Sequence, residues 1–272
     1  MVKKQPKLNA RVAHRVDVAP GLMVLRVVPE GRDVPEFRPG QFAVLGLPET
    51  ATRCAESDPD EAGQTGKMIR RAYSIASSCV ERQYLEFYIT LVRSGSLTPR
   101  LFALQPGDAL WVGPKITGMF TLDQAPADRH ILLVATGTGL APYMSMLRTA
   151  LADDRERRFV VVLGARHSWD LGYDAELLTM QRVCPNFAYL PIISRPSEEP
   201  VPWKGNVGYV TDLFKNGSVE RALGHAIAPD AARVFLCGNP SMIEDMCEHL
   251  GGFGFREHTR KEPGEIYVEK YW

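Results

Sequence analysis

The chain has 272 residues, 45% of them hydrophobic and 24% charged, with Lys plus Arg and Asp plus Glu both at 32. This length suits one or two domains with a sizeable buried core, and the charge balance excludes the basic excess of a nucleic-acid or anionic-membrane binder. Cys54, Cys79, Cys184, Cys237 and Cys247 contain no CxxC pair and the six histidines no HxxxH pair, so no zinc knuckle, disulfide framework, iron–sulfur spacing or other metal site is expected.

The basic start Met1-Val2-Lys3-Lys4-Gln5-Pro6-Lys7 leads into no apolar signal segment, and no run reaches the length of a membrane span. A cytoplasmic monomer is expected. The first half then reads as short strands: Arg11 to Val18, Leu22 to Val28, Gly40 to Leu47, Arg70 to Ala76 and Tyr84 to Val92. Pro20-Gly21, Pro29-Glu30-Gly31 and Arg38-Pro39-Gly40 punctuate them, and Glu49 to Lys67 is polar enough to be a long surface loop or a poorly ordered one. A helix-sized piece, Leu97 to Leu104, closes on Pro106-Gly107. Strands at this spacing predict a small antiparallel barrel.

After the polar linker Asp123 to Asp128 the period changes. Strands at Ile131 to Ala135, Phe159 to Leu163, Phe187 to Ile193, Arg233 to Cys237 and Glu265 to Lys270 follow. Between them fall helices to about Ala152, around Asp174 to Val183, near Val210 to Leu223 and from Pro240 to Leu250. Such alternation predicts a parallel sheet with crossover helices. Its first unit organises the chain: a buried strand runs into Ala135-Thr136-Gly137-Thr138-Gly139-Leu140-Ala141-Pro142 and then a helix. Gly137 and Gly139 permit a sharp turn and close approach, and the helix start offers N–H groups to an anion such as a nucleotide pyrophosphate. An ordinary strand-to-helix connection accounts for a lone Gly-x-Gly equally well.

Five motifs in order carry a family resemblance: Arg71-Ala72-Tyr73-Ser74, Gly95-Ser96-Leu97-Thr98, Gly137 to Pro142, Cys237-Gly238-Asn239-Pro240 and Val268-Glu269-Lys270-Tyr271-Trp272. From about Ala10 to Trp272 the chain resembles the ferredoxin–NADP reductase family, and its Tyr-Trp ending is most similar to the bacterial branch. The resemblance implies a two-domain β plus α/β protein. Residues 1–124 would form an FAD-binding antiparallel β-barrel, and residues 125–272 a parallel-sheet NADP-binding domain.

By the same resemblance, FAD would be held by Arg71, Ala72, Tyr73, Ser74, Tyr88, Ile89, Thr90, Ser96, Leu97, Thr98, Thr138, Tyr271 and Trp272. The residue types suit these roles: Arg71 offers a planar fork to a pyrophosphate and Tyr73 a flat ring to the isoalloxazine. Which terminal aromatic touches which part of FAD stays open. NADP would be met by Gly137, Gly139, Arg166, Ser194, Arg195, Asn206, Gly238, Asn239 and Pro240. Arg166 and Arg195 follow strands, at the carboxyl edge where such sheets bind ligands, and would take the 2′-phosphate; solvated surface arginines are the plain alternative. Relatives often carry a second arginine where this chain has Asn206, and Lys204 is a point charge and not a fork.

Ser74, Cys237 and Glu269 match the family's catalytic positions. Ser74 would set a hydroxyl near the reactive flavin nitrogen, Cys237 would line the nicotinamide pocket, and Glu269 would relay protons. A buried inert cysteine and a surface glutamate compete with the last two readings. The expected activity is hydride exchange with NADP(H) and single-electron exchange with ferredoxin or flavodoxin, an acidic carrier docking through Arg38, Lys67, Arg70 or Lys115. An NAD(P)H-dependent oxygenase component or flavin reductase, and a non-catalytic flavin- or nucleotide-sensing module, are the alternatives.

Overall fold

The computed structural model describes residues 7–59 and 66–270. They fall into two compact units, the described residues up to 119 with 144–149, and residues 120–143 with the described residues from 150 on. In the first unit the strands are β1 (Ala10–Ala19), β2 (Leu22–Pro29), β3 (Phe42–Pro48), β4 (Met68–Ser74), β5 (Leu85–Thr90) and β6 (Ala109–Val112), with helix α1 (Thr98–Ala103) after β5. They pair antiparallel in the order β4-β3-β6-β1-β2-β5. An Ile75–Phe87 bridge and the Ala76 N–H to Glu86 carbonyl bond at 2.8 Å join the two ends and curl the sheet into a barrel. Met23, Leu25, Leu45, Ile75, Phe87 and Leu110 fill its interior.

The strand β6 is absent from the sequence reading. It is four residues long, and its partners are distant: Leu110 opposite Ala10 on β1 and Val112 opposite Leu45 on β3. Asn9 fastens it, donating to the Val112 carbonyl at 3.0 Å and accepting the Val112 N–H at 2.7 Å. Propensity over four residues cannot reveal a strand whose stability lies in long-range pairing.

A charged cluster interrupts the apolar interior of this unit. The Glu86 side chain is 1% exposed, and its oxygens accept from Arg26 Nε and Arg148 Nη1, both at 2.7 Å. Arg148 also donates to the Ala76 carbonyl at 2.8 Å. A buried carboxylate is tolerated only with such partners.

The second unit is a parallel sheet of β7 (His130–Thr136), β8 (Phe159–Ala165), β9 (Phe187–Ile193), β10 (Asn206–Val207), β11 (Ala232–Gly238) and β12 (Ile266–Lys270), in the order β10-β9-β8-β7-β11-β12. Its helices are α2 (Ala141–Ala150), α3 (Asp174–Val183), α4 (Val210–Lys215), α5 (Ser218–Leu223) and α6 (Pro240–Gly251). The near-continuous aliphatic strands Ile131 to Ala135 and Phe159 to Leu163 are buried throughout, as a sheet covered on both faces requires. One helix expected near Val210 to Leu223 is two. Gly217 adopts a left-handed φ of 73° and ends the run, while Asn216 Oδ1 accepts the Ser218 N–H at 3.0 Å to start α5. The helix after β7 likewise begins with a 3-10 turn, Gly137–Leu140, before α2.

At the amino end of β7 the His130 and His225 rings stack at 5.0 Å, and His130 Nδ1 accepts the Arg158 N–H at 3.1 Å. Burial first, then the neighbouring His225 and Arg158, lower the pKa of His130 below its ordinary 6.5. The unfolded chain therefore takes up a proton before the folded one. Stability from this group is expected to be complete above about pH 6.5 and to fall as the pH drops below it. Urea midpoints measured from pH 8 to pH 5 should show the decline, and His130→Gln should flatten it.

Candidate functional site

In the parallel sheet the strand order reverses at β7, with β8 on one side and β11 on the other. A crevice at the carboxyl ends of such a pair is where open α/β sheets bind ligands. The residues there are Thr136-Gly137-Thr138-Gly139 and Cys237-Gly238-Asn239-Pro240. Gly137 has φ 54°, and a Cβ built on it would meet nothing within 4 Å, so its left-handed turn opens onto free space. Gly139 is a glycine for a different reason: a Cβ there would overlap the Cys237 carbonyl and lie 2.9 Å from Gly238 N. Gly238, at φ 137°, would in turn strike Thr136. The two turns interlock, and the Asn239 N–H donates to Thr136 Oγ1 at 2.8 Å across them.

Asn239 and Pro240 build the start of α6. Asn239 Oδ1 accepts the Ser241 N–H at 2.8 Å, and Pro240 occupies the first turn, where its missing N–H costs nothing. Cys237 is fully buried and stands in register with Ala135 on β7 and Glu269 on β12. Tyr143 donates its hydroxyl to the carbonyls of Val134 at 3.0 Å and Phe235 at 2.7 Å, fastening α2 to both central strands. Its burial, then Cys237 and Glu269 nearby, hold the phenol well above its usual pKa. Thr138 is half-buried in the turn.

Beyond β8 and β9 the backbone ladder continues: Ser194 N–H to Ala165 O at 3.0 Å and Arg195 N–H to Arg166 O at 2.9 Å. Exposed Arg166 and Arg195 therefore leave the sheet side by side. Asn206, on β10, is tied into the sheet. Its Nδ2 donates to the Pro191 carbonyl at 2.9 Å, and its own carbonyl accepts Trp203 Nε1 at 2.9 Å, so its side chain fastens β10 to β9. His167 lies at the same edge, with Nε2 2.7 Å from Glu198 and Nδ1 3.1 Å from Asp170. Hydrogen bonding to Glu198 raises its pKa, against the opposing effect of desolvation, with Asp170 adding to the rise.

In the barrel, Arg71 and Tyr73 stand opposite Leu45 and Ala43, whereas Arg70 turns away and stacks on Trp111 at 4.5 Å. Arg70, Arg71 and Ala72 are exposed in succession, Tyr73 is partly buried and Ser74 is buried. Burial keeps the Tyr73 phenol protonated, raising its pKa against the opposing charge of Arg71. The Ile75–Phe87 bridge sets this segment beside Tyr88, Ile89 and Thr90; the first two are buried in β5 and Thr90 is exposed. Ser96 is exposed and Leu97 buried, while Thr98 Oγ1 accepts the Val92 N–H at 3.0 Å.

Two arginines unforeseen from sequence organise that region. Buried Arg100 donates to the carbonyls of Glu49 at 2.5 Å and Ser96 at 2.6 Å, and Arg53 to those of Gly95, Asp58 and Arg93, each at 3.0 Å. The described part of the Glu49 to Lys67 stretch is thus laced to the segment 93–100. An arginine inside the apolar run Leu97 to Leu104 was a readable signal for Arg100; Arg53 had none. Tyr271 and Trp272 lie outside the described residues.

A parallel sheet with a glycine-lined crevice at its reversal point, preceded by an antiparallel barrel, defines a nucleotide-binding two-domain class. Residues 133–248 match the family model described as an oxidoreductase NAD-binding domain. The chain is 34% identical over 244 residues to the ferredoxin–NADP reductase of Azotobacter vinelandii, covering 86% of each chain. It is 33% identical over 237 residues to the flavodoxin/ferredoxin–NADP reductase of Escherichia coli, covering 87% of this chain and 88% of that one. A ferredoxin–NADP reductase from Neisseria gonorrhoeae, solved with bound FAD and NADP, shares the fold with a TM-score of 0.80 at 23% identity, over 97% of this chain and 98% of that one. The chain belongs to the ferredoxin–NADP reductase family.

Proposed function

We propose that this chain is an FAD-dependent oxidoreductase that exchanges a hydride with NADP(H) and single electrons with ferredoxin or flavodoxin. The observation that carries the coenzyme half is the reversal point of the parallel sheet, where Gly137 turns on a positive φ against open space. For the flavin half, β4 exposes Arg71 and Ala72 in succession beside a partly buried Tyr73, where a barrel strand with one face in the core and one in water would alternate. These residues fit FAD: a guanidinium for its diphosphate, an apolar ring for the isoalloxazine and, in Ser74, a hydroxyl at the inner end of the strip. Bound there, FAD would supply acceptance of a two-electron hydride and its release as single electrons. Residues 1–124 would serve FAD and residues 125–272 NADP.

The chain's own task is positional. Hydride transfer needs donor and acceptor at van der Waals contact with water displaced. In this reading buried Cys237 gives the nicotinamide a small, polarisable wall, and Glu269, beside it on β12, holds a proton-accepting carboxylate. Arg166 and Arg195 receive the 2′-phosphate, with Ser194 at their root. The glycines Gly139 and Gly238 act through the backbone, keeping the two turns close. Exposed Arg38, Lys67, Arg70 and Lys115 attract an acidic carrier. No helix among the described residues is long and apolar enough to cross a membrane; a monomer working in the cytoplasm completes the reading.

Anaerobic titration of the purified protein, followed in the oxidised-flavin absorption band, tests it. Bleaching by NADPH at much lower concentration than by NADH is the expected result. Equal bleaching by both would favour the oxygenase-component alternative, and no flavin band after FAD addition would remove the enzyme reading.

A further inference from the structure

Beside Arg195 stands a carboxylate for which the coenzyme site has no evident use. Glu198 closes the short 3-10 turn Pro196–Glu198 that follows Arg195. Its two oxygens are divided between opposite neighbours: Oε2 is 2.7 Å from His167 Nε2, and Oε1 is 3.6 Å from Arg195 Nη1. His167 is itself fixed, by Asp170 at Nδ1 and by the Trp169 ring stacked on it at 4.3 Å. Glu199 is occupied elsewhere, accepting the Ser168 N–H at 2.7 Å and the Ser168 hydroxyl at 2.6 Å.

We propose that Glu198 is a specificity-determining residue, lying against Arg195 so that it competes with the coenzyme's 2′-phosphate for that guanidinium. The inference rests on the reading that Arg195 receives the 2′-phosphate. NAD carries a hydroxyl in place of that phosphate, so the carboxylate weakens one coenzyme and leaves the other untouched. His167 keeps Glu198 from swinging away into solvent. Asn206 is a neutral amide bonded to the Pro191 carbonyl and adds no cation to this edge, so one carboxylate weighs more in the balance. The Glu198 side chain is 53% exposed, so the effect is that of a solvated charge and not of a buried one.

The test is calorimetric binding to the FAD-loaded protein of adenosine 2′,5′-bisphosphate, which carries the 2′-phosphate without nicotinamide, and of 5′-AMP, which lacks it. Glu198→Gln should tighten the bisphosphate about two- to fivefold, the range of one exposed charge pair, and leave 5′-AMP unchanged. Arg195→Gln should weaken the bisphosphate. If Arg195→Gln weakens it and Glu198→Gln does not tighten it, the proposal falls and the coenzyme site stands. If Arg195→Gln leaves the bisphosphate unchanged, the coenzyme-site reading falls and takes the proposal with it.

Discussion

Gly139→Ala is expected to lower NADPH-dependent turnover by about 100-fold, the loss that accompanies a displacement of about 1 Å in a positioned reaction. The added methyl would overlap the Cys237 carbonyl, and a backbone carbonyl in a central strand has no rotamer through which to retreat. The turns after β7 and β11 must therefore part, and Cys237 and Asn239 move with them. Overpacking of this kind costs about 1–3 kcal/mol in stability. Gly137→Ala acts differently: its methyl points into the open space the coenzyme is read to enter, so it adds the strain of a left-handed alanine, about 1–2 kcal/mol, and raises KM for NADPH without displacing β11. Steady-state turnover and thermal melts of both variants decide the matter. A loss in Gly139→Ala that lies in KM alone, with kcat kept, would show that the contact with Cys237 is not what positions the coenzyme.

Glu86→Ala is expected to lower stability by about 3 kcal/mol. Removing the carboxylate leaves Arg148, with 18% of its side chain exposed, facing the space of its lost partner, whereas Arg26 at 37% can turn to water. That asymmetry places the value at the lower end of the range for broken buried pairs. Urea unfolding monitored by tryptophan fluorescence measures it, and Arg26→Ala should cost clearly less than Glu86→Ala. A loss under about 1 kcal/mol would mean that both arginines are solvated well enough to stand alone.

What could be read from sequence follows from how local its cause is. Strands β7 and β8 and helix α6 announce themselves through continuous aliphatic runs and an Asn-Pro start, features complete within a dozen residues. β6 does not, because its partners lie far away in the chain, nor does β10, which is only two residues long, and the division of Val210 to Leu223 turns on Gly217 adopting a conformation that its composition only permits. The site motifs were legible as positions but not as causes. Gly137 and Gly139 look alike in a string, yet one is an opening and the other a close packing contact. Asn206, placed by resemblance among coenzyme residues, also bonds its side chain to the sheet, a tie no motif announces. The roles of Arg53, Glu198 and His167 were invisible because each takes a partner from a separate loop: Arg53 the carbonyls of Gly95 and Arg93, and Glu198 and His167 one another.

The fastening of β10 also bears on how this molecule behaves at high concentration. An uncovered strand edge is a template on which another chain can grow. On the outer side of β9, Pro191 has no N–H to offer, the two residues of β10 cover Ile192 and Ile193, and the Asn206 amide occupies the Pro191 carbonyl. The edge is blunted by one proline, one amide and a strand too short to extend. Installing an arginine at position 206 to strengthen NADP selectivity would vacate that carbonyl and loosen the two-residue cover. Such a redesign would trade coenzyme preference against colloidal stability, with aggregation and not catalysis setting its limit.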